Sequence, residues 1–184
     1  MTIDQPASAV IPMLSNEDPA RAADWVAEAF GFRETGRWAG ADGRVTHVNM
    51  ERNGAVIMLG SPGRDYQNPH HHAEICDHAR AWLSTPFIVD GVLVYVDDIN
   101  VHFERARASG ATVLSALEDN TQVGQRQYRV EDLEGHRWMF ASSSDGSRMP
   151  TPTKAAPAEA RRPGRSRTRP EPWPEQQLEQ WPGS

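Results

Sequence analysis

The sequence contains an internal repeat with a spacing of eighty residues, and this repeat constrains the fold more than any other feature. Asp18 begins the segment DPARAADWVAEAFGF, and Asp98 begins the segment DINVHFERARASGA. Each segment has an aspartate suited to capping a helix, apolar residues at helical spacing, and a terminal glycine, Gly31 or Gly110. The repeat therefore predicts two equivalent helices in two equivalent modules.

Short extended segments flank both predicted helices. VIPML and GVLVYV precede them, FRETGRW, VTHVNME and AVIML follow the first, and ATVLSAL, QRQYRVE and HRWMF follow the second. Asn53-Gly54 is a strong signal for a two-residue hairpin turn, and Leu133-Glu134-Gly135 indicates a three-residue one. The order is β-α-β-β-β twice, which predicts an α+β domain over 9–143, with modules 9–60 and 91–143 and a connector over 61–90.

Composition separates the last 35 residues from the rest of the chain. Residues 150–184 hold eight of the fourteen prolines, are rich in arginine and have few large aliphatic side chains, so we expect a disordered tail. The tail carries a net charge of +2 and the whole chain −6, so residues 1–149 carry −8. An acidic domain disfavours nucleic-acid binding, because neutralising phosphates requires a basic face. We also expect no membrane segment and, with Cys76 as the only cysteine, a cytoplasmic location.

The double βαβββ repeat, its Asp-led helices and its closing DLEGHRWMF resemble the vicinal oxygen chelate superfamily. This superfamily contains glyoxalases, bleomycin resistance proteins and extradiol dioxygenases. The resemblance covers residues 9–143 and is closest to small single-domain bacterial members. It implies that the two modules form one curved mixed sheet around a cavity, and that two chains pair as a homodimer.

Enzymes of that family hold a divalent metal, and the resemblance assigns its four ligand positions to Ile11, Met58, Gly91 and Met139. None of these side chains is an oxygen or imidazole donor, and thioethers prefer soft ions. We therefore expect no metal centre and no cofactor. A second metal hypothesis concerns His72, Cys76 and His78, which would converge if NPHHHAEICDHAR were helical. The simpler interpretation is a polar connector.

Strand alternation predicts which side chains line the cavity. The first hairpin turn pairs Asn49 with Met58, and the second pairs Arg129 with Met139. The apolar residues that alternate with these along the strands point to the opposite face and should pack on the helices; they are Val48, Met50, Ile57, Leu59, Tyr128, Val130, Trp138 and Phe140. The predicted ligand-binding residues are His47, Asn49, Met58, Tyr95, Arg129 and Met139. Structural alternatives are a solvent-facing His47, an ion pair of Arg129 with Glu131 or Glu51, and methionines that merely fill space.

Three functional hypotheses follow from these patterns. The leading one is a metal-free protein that binds or sequesters a small organic ligand. The second is a lyase, isomerase or dioxygenase of the same superfamily that uses a relocated metal or none. The third is an interaction module that recruits a partner through the Pro/Arg-rich tail.

Overall fold

The computed structural model describes residues 10–84 and 91–143. Within them, eight strands and four helices follow in the order β1 (Met13–Ser15), α1 (Pro19–Phe30), β2 (Arg33–Ala39), β3 (Val45–Arg52), β4 (Ala55–Gly60), α2 (Pro69–Ile75), α3 (Asp77–Leu83), β5 (Gly91–Tyr95), α4 (Ile99–Ala108), β6 (Thr112–Asn120), β7 (Gln125–Glu131) and β8 (Arg137–Ser143). The predicted disordered tail over 150–184 lies outside the described residues.

Both long helices begin and end as the repeat predicts. The Asp18 carboxylate accepts the amides of Ala20 and Arg21, each at 3.1 Å, and Asp98 caps α4 in the same way. Gly31 closes α1 in the left-handed conformation, with a φ of 70°, and Gly110 follows α4 with a φ of 87°. Aspartates therefore satisfy the first free amides, while glycines permit the sharp exits.

Each module forms one four-stranded sheet. The strand orders are β1-β4-β3-β2 and β5-β8-β7-β6, and the outer strands β1 and β5 run parallel to β4 and β8. The predicted registers are confirmed, because Asn49 pairs with Met58 and Arg129 pairs with Met139. The fold class is thus confirmed, and the mixed sheet consists of two separately hydrogen-bonded halves.

One hydrophobic core lies between the helices and the sheets. All eight apolar residues predicted to face the helices are at most 3% exposed. Phe30 at the end of α1 packs on Trp138 and Phe140 of the second module, with ring centroids 5.0 and 4.8 Å apart. The same core therefore serves both modules.

A buried histidine on α4 also joins the two modules. His102 Nε2 lies 3.1 Å from the Phe30 carbonyl oxygen, and its Nδ1 lies 2.6 Å from the Tyr128 hydroxyl. A carbonyl can only accept, so Nε2 donates to Phe30 and Nδ1 accepts from Tyr128. Burial disfavours the charged imidazole and lowers the pKa of His102 to about 4.

The turn between β7 and β8 fastens the second module to the start of α1. The Glu134 side chain, which is 2% exposed, accepts the amides of Glu17 and Asp18 at 2.9 and 3.2 Å. His136 Nε2 donates to the Ser15 carbonyl oxygen at 2.8 Å. These contacts satisfy backbone groups of the first module with side chains of the second.

The segment predicted as a long connecting loop is partly helical. Its described residues, 61–84, contain α2 and α3, and Asn68 and Pro69 start α2 as N-cap and first helical residue. Neither helix has a buried residue. No helix in the described part of the chain is sufficiently long and apolar to span a membrane.

Candidate functional site

The outer strands β1 and β5 border two adjoining cavities. The larger one, here the seam cavity, measures about 1020 Å³, and the smaller one, the connector cavity, measures about 630 Å³. Both are lined by Pro12 and Val92, and the connector cavity also by Pro69 and Trp82 of the connector helices. Both cavities thus lie along the ends and edges of the sheets.

The seam cavity has a mixed wall, with polar and apolar surface in similar amounts. Its apolar lining includes Phe32, Val56, Ile57, Val94 and Val96. Its polar lining consists of Arg52, Asn53, Tyr95, Asp97, Ser142 and Ser143. A cleft of this size that combines apolar walls with convergent polar groups can accommodate a small organic molecule.

Arg52, the last residue of β3, is the cation of the seam cavity. Its Nη1 donates to the carbonyl oxygens of Phe30 and Gly31 at 2.8 and 3.0 Å, at the C-terminal end of α1. Its Nε is buried and has no hydrogen-bond partner among the described residues. Burial, followed by repulsion from Arg105, lowers the pKa of Arg52.

The predicted residues of the first module lie together on the sheet face opposite the helices. His47 Nε2 is 2.8 Å from Asn49 Oδ1, so the imidazole donates to the amide oxygen. Trp38 packs edge-on against His47 with ring centroids 5.2 Å apart, and its ring covers Gly36, where a Cβ would lie 2.6 Å from Cη2. The glycine therefore permits this aromatic placement.

The predicted residues of the second module are more scattered. Met139 pairs in register with Arg129 on one side and Leu93 on the other. The Tyr95 hydroxyl accepts from Gln125 Nε2 at 3.2 Å. Glu131 bonds to His70 and Arg137, and Glu51 bonds to Arg33, so the two carboxylates considered as partners of Arg129 have these other partners.

Of the six predicted site residues, Tyr95 alone appears among the described residues that line the seam cavity. His47 and Asn49 are brought together, and each methionine lies beside its predicted strand partner. Arg52 and Asp97 also line the seam cavity, and neither was among the predicted ligand-binding residues, which were chosen from one face of the sheet. A charged residue directly before Asn53-Gly54 was the available signal for Arg52.

The side chains that lie beside Met58 and Met139 differ from the ones predicted for the metal positions. Met13 lies directly beside Met58, and Leu93 lies beside Met139, whereas Ile11 precedes β1 and Gly91 pairs with Arg137. Neither set contains an oxygen or nitrogen donor. Across residues 10–84 and 91–143, no group of three or more His, Cys, Asp or Glu side chains could hold a metal ion.

The connector histidines form hydrogen bonds to the domain. His70 Nε2 lies 3.1 Å from Glu131 Oε2, and this bond raises the pKa of His70. His71 Nδ1 lies 3.0 Å from Glu17 Oε1. Arg137 bonds to Glu131 and to the Leu83 carbonyl oxygen, so the connector covers one end of the second sheet.

The match to known proteins covers both sheets of the structure. Residues 8–140 match the family profile described as Glyoxalase/Bleomycin resistance protein/Dioxygenase superfamily. The uncharacterized protein Mb0911c of Mycobacterium bovis is 33% identical over 134 residues, which are 71% of this chain and 80% of that protein. The crystal structure of TioX from Micromonospora sp. ML1 matches with 33% identity and a TM-score of 0.55, covering 74% of this chain and 98% of TioX.

A more distant structure shares the fold. FosX of Listeria monocytogenes, a fosfomycin resistance protein complexed with Mn(II) and sulfate, matches with a TM-score of 0.52 and 11% identity. The match covers 74% of this chain and 90% of FosX. At this identity the likeness concerns the fold alone.

Proposed function

The chain belongs to the Glyoxalase/Bleomycin resistance protein/Dioxygenase superfamily, and from this premise we propose that it binds or sequesters a small organic ligand. The observation that carries the proposal is the seam cavity of about 1020 Å³, whose wall combines apolar and polar side chains. This volume lies just above the range for sites of drug-sized ligands, about 300–1,000 Å³.

We further propose that the protein works without the metal centre of the family enzymes. The residues at the metal positions do not fit a divalent ion, because methionine, isoleucine and leucine side chains offer no hard donor and glycine offers no side chain. His47, Asn49 and Trp38 then form a second, polar-aromatic contact surface on the first sheet. This surface has the hydrogen-bonding and stacking groups that an organic ligand with an aromatic portion requires.

A thermal-shift screen of aromatic metabolites and antibiotics tests ligand binding, because a ligand that binds only the folded state raises the melting temperature. Val56→Trp puts a bulky ring into the wall of the seam cavity and should reduce the shift produced by any hit that binds there. The matched control is Val123→Trp, which places the same ring at an exposed site in the β6–β7 turn. Equal shifts in wild type and Val56→Trp would place the ligand elsewhere and contradict the proposal.

Metal analysis of protein purified without a histidine tag distinguishes a binding protein from an enzyme. We expect less than stoichiometric metal and no effect of a chelator on ligand-induced stabilisation. One tightly held metal per chain that is needed for turnover would favour the lyase, isomerase or dioxygenase hypothesis.

We also propose a homodimer that covers the outer strands. Val10, Met13 and Leu93 are 79%, 70% and 47% exposed along the cavities, and β1 and β5 are edge strands that a second copy would protect. Sedimentation at micromolar concentration should show a dimer, and Leu93→Glu should dissociate it. The control Val101→Glu changes an exposed valine on α4 and should not. A wild-type monomer at this concentration would contradict the proposal.

A further inference from the structure

The geometry points to an anionic ligand: we propose that the seam cavity selects organic molecules carrying a carboxylate, sulfonate or phosphate, and that Arg52 binds this group. The inference rests on the proposed function, since it assigns a chemical class to the ligand of the same cavity. It adds a specificity-determining residue that neither the repeat nor the strand pattern indicated.

Arg52 is held in a fixed orientation before any ligand arrives. Its Nη1 donates to two carbonyl oxygens at the end of α1, and a Cβ at Gly31 would lie only 2.5 Å from that nitrogen. Nε is buried without a partner, and no described residue accepts a hydrogen bond from Nη2. The guanidinium therefore keeps unused donor capacity at a side chain that lines the cavity, and a ligand anion would accept from it.

The positive charge of Arg52 is not neutralised nearby. No carboxylate among the described residues lies within 4 Å of it, and the guanidinium of Arg105 is also close to Gly31, where a Cβ would lie 2.7 Å from Arg105 Nη2. Asp97 lines the same cavity and attracts Arg52 without forming an ion pair. Two cations near one carboxylate leave a net positive charge that a ligand anion would offset.

The rest of the lining defines the remainder of the ligand. Valines, Ile57 and Phe32 provide an apolar wall, and the hydroxyls of Tyr95, Ser142 and Ser143 provide additional donors. We therefore expect a molecule with a substantial apolar body and a single acidic group. A small inorganic anion would contact Arg52 but leave the apolar wall uncovered.

Two fluorescent dyes with the same ring system test the charge requirement. 8-Anilinonaphthalene-1-sulfonate carries a sulfonate, and N-phenyl-1-naphthylamine is its neutral counterpart. Their dissociation constants are measured by fluorescence titration for the full chain and for four variants: Arg52→Gln, Arg105→Gln, Asp97→Asn and Val56→Trp. Arg105→Gln is the matched control, because Arg105 donates to the Ala29 carbonyl at the same helix end but is not among the lining residues.

Arg52→Gln should raise the dissociation constant of the sulfonate dye by about tenfold or more, as expected for loss of a charge-assisted hydrogen bond. The dissociation constant of the neutral dye should stay within about twofold of the wild-type value. Arg105→Gln removes the more distant cation and keeps Arg52, so it should weaken binding of the sulfonate dye less than Arg52→Gln does and leave binding of the neutral dye within about twofold. Asp97→Asn should tighten the sulfonate dye, and this variant leaves the end of α1 intact, so it tests the charge balance even if Arg52→Gln fails to fold. Val56→Trp should weaken the binding of both dyes.

The outcomes separate the two proposals. If the neutral dye binds and is weakened by Val56→Trp, while the sulfonate dye is insensitive to Arg52→Gln and Asp97→Asn, the cavity remains a ligand site but the anion inference is wrong. If neither dye binds, or Val56→Trp leaves both unchanged, the proposed ligand site itself is overturned. If Arg52→Gln loses the preference for the sulfonate dye and Arg105→Gln keeps it, both the ligand site and the anion inference are supported.

Discussion

Replacing His102 with glutamine should make the protein less sensitive to acid, although it removes a buried residue. His102 is 3% exposed and is neutral in the native state, because its Nδ1 must accept from Tyr128 while Nε2 donates to Phe30. Protonation would turn Nδ1 into a donor, so the Tyr128 hydroxyl would have to accept from it and would lose its own acceptor, and a cation would lie near Arg52 and Arg105. The native state therefore resists protonation of this side chain.

The pKa of His102 determines the size and sign of the effect. The ordinary value is 6.5, and burial lowers the pKa to about 4 in the folded protein. Below pH 6.5 the unfolded chain binds more protons at this position than the folded chain, so stability falls as the pH decreases from 6.5 to 4. Between pH 7.5 and pH 5.0 this single group should remove about 2 kcal/mol from the free energy of unfolding.

Urea unfolding at pH 7.5 and pH 5.0 measures this difference for wild type and His102→Gln. The variant should be less stable at pH 7.5, but its loss of stability on acidification should be smaller than that of wild type by about 2 kcal/mol. His70→Gln is a control of opposite sign, since the hydrogen bond to Glu131 raises the pKa of His70 and stabilises the fold at lower pH. Equal pH dependence of wild type and His102→Gln would refute the reasoning.

Two further substitutions test the contacts between the modules by urea unfolding. Glu134→Ala should destabilise the protein by about 3 kcal/mol, because it leaves two backbone amides before α1 without their charged acceptor. Glu104→Ala, at an exposed ion pair on α4, should cost less than about 0.5 kcal/mol; similar losses in the two variants would contradict the assignment. Gly31→Ala should cost at least about 2 kcal/mol, because it adds a clash with Arg52 and Arg105 to the backbone strain. Gly43→Ala has a similar φ but open space around its Cβ, so it should cost about 1 kcal/mol, and equal costs would argue against the clash.

Local signals in the sequence were sufficient to predict the fold. Asp18 and Asp98 cap their helices, and Asn53-Gly54 sets the register that pairs Asn49 with Met58. These features depend on neighbouring residues and on strand alternation, both of which are visible in one sequence. Strand β1 starts at Met13 and not at Val10, since Pro12 has no amide hydrogen to donate to a neighbouring strand.

The connector and the cavity were harder to predict because they depend on contacts between distant segments. Helices α2 and α3 bury no residue fully, so their sequence lacks the apolar periodicity that identified α1 and α4. Arg137 is only 5% exposed and donates to Glu131 and to the Leu83 carbonyl oxygen of the connector, a burial that no local pattern in the sequence indicates. The position of Arg52 in the seam cavity follows from its contact with the end of α1, which no local pattern reveals.

The shared core has a consequence for the order of synthesis. Phe30 leaves the ribosome more than 100 residues before Trp138 and Phe140, the rings that cover it. At about 5–20 residues per second, the nascent first module waits roughly 5–20 seconds for these partners. During that interval the end of α1 presents an uncovered aromatic ring and carbonyl groups whose partners on α4 are not yet made. Part of the core surface of the first half therefore stays uncovered until β8 is made.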